Sequence, residues 1–79
     1  MTPTWIKRPV MVVTSEKERD VVLHVQKALG WAETGRMDEG TRAHLRGLQS
    51  LFGLRVTGIL DLETAEQVER LREYGSVEG

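Results

Sequence analysis

The chain has 79 residues, a formal net charge of −1 and no cysteine. Its length allows one domain, the missing cysteine excludes disulfides and thiolate metal centres, and the near-neutral balance argues against a general nucleic-acid or membrane binder. No apolar run approaches the roughly 20 residues of a membrane span, so the fold must rest on well-capped elements and a small aliphatic core.

Residues 1–14 contain β-branched residues and proline but no helical period. They read as an extended arm of edge-strand character. Lys7, Arg8 and Pro9 interrupt its apolar part, which is too short for a signal peptide, so a complete chain of this kind is not expected to follow the general export route. The arm either lies over the rest of the domain or docks on a partner by strand addition. Trp5, Ile6, Val10 and Val12 are its candidate contacts, because an isolated strand has nothing of its own to pair with in a helical domain.

A first helix is expected from Ser15 to Gly30. Val21, Val22, Val25, Ala28 and Leu29 recur at helical spacing. Ser15-x-x-Glu18 reads as a capping box, and Gly30 suits the left-handed position that closes a helix. A second helix begins after Asp38, carries Leu45, Leu48, Leu51 and Phe52, and ends at Gly53. A third begins after Asp61, carries Leu62, Ala65, Val68 and Leu71, and fades near Gly75, leaving 76–79 as a flexible tail. The reading is all-α: a compact three-helix bundle over 15–75. Its core is Val22, Val25, Leu29, Leu45, Leu48, Phe52, Leu62, Ala65, Val68 and Leu71. Val56 and Ile59 plug it from the second connector, and Trp31 or Met37 from the first.

Shifted by 23 residues, the chain matches itself. Gln26, Gly30, Thr34, Gly35, Asp38 and Thr41 fall on Gln49, Gly53, Thr57, Gly58, Asp61 and Thr64. Self-similarity takes precedence in reading a fold. The shared T-G-x-x-D-x-x-T lies between helices both times. Asp38 and Asp61 are placed as N-caps, accepting backbone N–H bonds and opposing the helix dipole. Thr41 and Thr64 follow at the third helical position, where a hydroxyl can reach back toward the cap. The motif is thus a structural joint built twice.

Little else carries chemistry. His24 and His44 lack metal-ligand spacing. Ser15 is explained as a cap, and neither Ser50 nor Ser76 lies in a nucleophile motif. The two cap aspartates need no catalytic explanation. No enzyme, cofactor or metal is expected. Arg42 and Arg46 one turn apart invite a helix-turn-helix reading, but the connectors are long for that motif. Glu63, Glu66, Glu69 and Glu73 on the third helix would also repel phosphate, so nucleic acid is not expected as a partner.

Residues 21–71 resemble the type 1 peptidoglycan-binding domain family. The carriers are Leu48-Gln49, Gly53-Leu54, Thr57-Gly58, Asp61 and Thr64, and in the first copy Val25-Gln26, Gly30-Trp31, Thr34-Gly35, Asp38 and Thr41. The stretch LQSLFGLRVTGILDLET is also similar to matrix metalloproteinase prodomains, but their inhibitory role needs a cysteine that this chain lacks. The resemblance implies a non-catalytic module for bacterial cell wall. Peptide carboxylates favour arginine and sugar faces favour an exposed aromatic, which nominates Trp31, Arg36 and Arg55 in the connectors. Trp31 has a structural alternative as a core cap, the role expected of its repeat-mate Leu54. A second functional reading is a structural module that reuses the fold, such as a bacteriophage capsid-decoration or tail-associated protein. The unpaired arm and the absence of an attached enzyme favour it.

Overall fold

A computed structural model describes residues 2–77. It contains α1 (Glu16–Leu29), α2 (Glu39–Leu51) and α3 (Leu62–Val77), with α3 packed against both of the others. Each helix starts on a side chain that accepts one of its orphan amides. The Ser15 hydroxyl accepts from Glu18 N–H at 3.2 Å, Asp38 from Thr41 N–H at 3.0 Å, and Asp61 from Thr64 N–H at 3.0 Å. The Ser15 box is not reciprocal. Glu18 Oε1 accepts instead from the Thr14 amide (2.8 Å) and hydroxyl (2.6 Å), two donors on one carboxylate oxygen where the Ser15 amide offers one. These bonds, the Thr14 hydroxyl first, hold the Glu18 carboxyl below the usual range.

The first two helices close alike. Gly30 and Gly53 adopt φ near +70°, and the next amides, Trp31 and Leu54, each donate at 2.8 Å to the carbonyls of Gln26 and Gln49. These are left-handed closures with a bond spanning the last turn. α3 does not fade at Gly75; it runs on through Val77. The rest of the expected tail, residues 78 and 79, lies outside the described residues.

The core joins Ile6, Val10, Val22, Val25, Met37, Leu45, Leu60, Ala65 and Val68. Two expectations fail here, those for Phe52 and Val56, and Ile59 is half-buried rather than part of the core. Phe52 is 38% exposed and Val56 53% exposed: Phe52 follows the last helical residue, and the closing turn carries it and the connector outward. Leu60 fills the core from that connector instead, only 1% exposed. Leu29, Leu48 and Leu62 pack on the core's edge, partly buried, and Leu71 is likewise half-buried.

The arm takes the first of its two expected courses, lying over the domain. It is not unpaired: Val10 and Leu60 form an isolated antiparallel bridge, with amide-to-carbonyl bonds of 2.8 and 3.0 Å. Ile6 and Val10 are buried in the domain's own core and are spent on folding rather than held out for a partner. Val12 stays half exposed. The arm lies over the helices because its apolar side chains find a floor there.

Candidate functional site

The two connectors are each wired by one buried glutamine. Gln26 Nε2 donates to the hydroxyls of Thr34 (3.1 Å) and Thr41 (2.9 Å) and to the Arg36 carbonyl (3.4 Å). Its Oε1 accepts from Gly35 N–H at 2.9 Å. Gln49 Nε2 donates to Thr57 and Thr64 hydroxyls (3.1 and 2.9 Å) and to the Ile59 carbonyl (2.9 Å). Its Oε1 accepts from the amides of Thr57 (2.9 Å) and Gly58 (3.0 Å). Both side chains are fully buried, so these bonds satisfy amides that would otherwise be costly to bury. Thr64 also donates its hydroxyl to Asp61. Sequence reading saw the two glutamines as a matched pair but gave them no task. Their identity across the repeat was the signal, and their partners lie eight to fifteen residues away.

This wiring fixes the surface around Trp31. The indole packs against the core while its ring meets His44, with centroids 4.8 Å apart and planes tilted by 31°. Trp31 and His44 line a hollow of about 140 Å³ with Ala32, Asp38, Gly40 and Thr41. Trp31 therefore caps the core, the structural alternative, while its edge lines a surface hollow. Asp38 sits in this hollow with its carboxyl held down to about 2, chiefly by the Thr41 amide, then by the Thr41 and Thr34 hydroxyls, with a smaller contribution from Arg36. Arg36 is exposed beside Asp38. Arg55 is exposed on the second connector and lines neither this hollow nor the larger groove described next.

A larger groove, about 620 Å³, runs between the arm and the first turns of α1. Trp5, Lys7, Arg8 and Val10 line it from the arm, and Lys17, Val21 and His24 from α1, with Glu18 and Asp20 also on the helix side. Trp5 is fixed twice: its indole N–H donates to Glu69 Oε2 at 2.9 Å, and its ring lies 4.5 Å from His24. Glu69 is in turn paired with Arg72 at 2.8 Å. The Trp5 bond first, and then Arg72, hold the Glu69 carboxyl below its ordinary range. Burial pushes the His24 imidazole below its usual value, and Arg72 adds to this while Glu69 opposes it. His24 Nε2 is buried without a hydrogen-bond partner, as is Arg42 Nε. Sequence reading nominated Trp5 and Val10 as partner contacts but did not find the groove, which needs the arm folded back on α1.

Among the described residues, no three His, Cys, Asp or Glu side chains gather where a metal could be held. No helix among them is long and apolar enough to cross a membrane.

The sequence profile of the peptidoglycan binding domain family matches residues 18–68. The chain belongs to this family. The matched span takes in both glutamine-wired connectors and the Trp31 surface, and it leaves out the whole arm. Peptidoglycan binding domains are binding modules, generally non-catalytic. No curated protein and no solved structure matches the chain significantly.

Proposed function

We propose that this peptidoglycan binding domain is a non-catalytic module that attaches to bacterial cell wall through its glycan or stem peptide. The observation that carries the reading is the family match over residues 18–68. The Trp31–His44 pair supports it, because a fixed aromatic edge beside an open hollow suits the apolar face of a sugar. Arg36 does not line the hollow but is exposed and acts on Asp38, which does, and it is the cation proposed to meet a carboxylate. Arg55, nominated with them from sequence, is not adjacent to either hollow and has no part in the proposed contact.

The virion reading drew on an arm with no pairing partner. The Val10–Leu60 bridge and the burial of Ile6 and Val10 remove that support, and nothing else in the structure favours a phage partner.

Co-sedimentation with purified sacculi tests the wall reading. The wild-type chain should pellet with them. His44→Ala and Arg36→Ala should weaken retention without altering the thermal unfolding curve, and Arg55→Ala should leave both unchanged. A folded chain that stays in the supernatant with sacculi from every plausible host would sink the proposal.

A further inference from the structure

The groove between arm and α1 is not explained by the fold or by the Trp31 surface. Its arm wall lies outside the family match, so it is a feature of this chain rather than of the shared framework. Its volume, about 620 Å³, falls within the range of small-ligand sites. Two chemistries meet in it. The floor is apolar: Val10 is buried, Val21 is half-buried, and Trp5 is held in one orientation by Glu69 and His24. An aromatic wall already fixed loses little freedom when a ligand docks. The rim is cationic. Lys7, Arg8 and Lys17 are exposed and form no ion pair among the described residues. Two acids oppose them: Glu18, kept ionised by its Thr14 hydrogen bonds with a smaller contribution from Arg8, and Asp20, so the rim sets three cations against two carboxylates.

We propose that this groove binds a short peptide bearing free carboxylates and small aliphatic side chains. The rim cations meet the carboxylates, and the Trp5–Val21 floor takes alanine-sized methyl groups. A neutral glycan has no charge to engage the excess of rim cations. A polyphosphate has nothing to place on the apolar floor. The inference rests on the wall-binding reading only for the source of such a peptide, the stem peptides of the wall.

The test is NMR titration of the full, isotope-labelled chain with the peptide Ala-Glu-Lys-Ala. Parallel titrations use the same peptide with its carboxylates amidated and an oligomer of N-acetylglucosamine. The free peptide should move the Trp5 indole N–H and the amides of residues 17–21. The amidated peptide should bind about tenfold more weakly, the worth of one charge-assisted hydrogen bond, and added salt should weaken the free peptide. Arg8→Glu combined with Lys17→Glu should abolish the shifts while the Val10 and Leu60 amides stay protected and sacculus retention through the Trp31 surface persists. The proposal is overturned by no shift in the groove at millimolar peptide, by equal shifts from the amidated form, or by shifts confined to Trp31 and His44. Peptide shifts without sacculus binding would remove the wall function and keep this site. Sacculus binding without peptide shifts would do the reverse.

Discussion

Replacing Gln49 by methionine keeps most of the side-chain volume and removes every polar atom that ties the second connector to α2. Five hydrogen bonds disappear. Two of them, to Thr64 Oγ1 and from Gly58 N–H, are fully buried. The Gly58 amide would be left with no acceptor, whereas Thr57 can turn to water. Counting only the two buried bonds at about 1 kcal/mol net each, and about 1–3 kcal/mol for the buried Gly58 amide left unpaired, the loss should be about 3–5 kcal/mol. A domain this small has about 5 kcal/mol in total, so Gln49→Met should be largely unfolded or nearly so at 25 °C. Gln26→Met is the internal comparison. It loses four bonds, two of them buried, and leaves the buried Gly35 amide unpaired, so it should cost a similar amount, about 3–5 kcal/mol. Urea unfolding followed by far-ultraviolet circular dichroism gives both numbers. In whatever native fraction remains, the Gly58 amide should lose exchange protection, while the Thr64 amide, held by Asp61, keeps it. If both variants stay within about 1 kcal/mol of wild type, the glutamines are not the ties described above.

Further expectations follow from the caps, turns and arm. NMR titration of the Asp38 carboxyl should give a midpoint of about 2. Because this folded-state value lies below that of the unfolded chain, the associated stability is fully present above about pH 4 and is lost as pH falls through about 2. Asp38→Asn should flatten that part of the acid-unfolding profile, and a midpoint near the ordinary aspartate value would refute the geometry. Gly58→Ala should cost about 1–2 kcal/mol by thermal unfolding, because φ is +73° and a Cβ would come within 3.2 Å of the Arg46 side chain; a neutral result would mean that the turn relaxes. Ile6→Ala should cost about 2–5 kcal/mol, measured by urea unfolding, and a cost below about 1 kcal/mol would return the arm to a dispensable appendage.

The parts of the fold that were legible are those whose causes are local. Ser15, Asp38 and Asp61 announce helix starts because each cap meets an amide three residues on. Gly30 and Gly53 announce helix ends because a left-handed closure favours glycine. Where the cause is distant, sequence reading fell short. The Glu18 partner moved from Ser15 to Thr14, a choice between neighbouring donors that pattern does not resolve. Gln26 and Gln49 stood out as identical, but a polar side chain on a helix looks solvent-facing until its connector is seen folded over it. The arm was readable as extended, yet its partner is a single residue, Leu60, in a connector with no strand pattern. Leu60 falls outside the expected core for the same reason, and Phe52 enters it because the helical spacing runs on one residue past the helix. The Trp31 surface was half legible: the tryptophan stood out by replacing Leu54, but His44 joins it only through the angle at which α2 leaves the connector.

The Val10–Leu60 bridge bears on how this domain can be cut and moved. A fragment trimmed to the family-matched span, residues 18–68, would leave behind Ile6 and Val10, two of the nine buried hydrophobic side chains of the described core. It would also lose Ser15, the cap of its first helix, and expose the inner edge of Leu60 to solvent. Such a fragment should express as a loosened or aggregating species even though every residue of the recognisable motif is present. The smallest unit fit for fusion to another protein therefore begins at the arm, upstream of the point where the family resemblance starts.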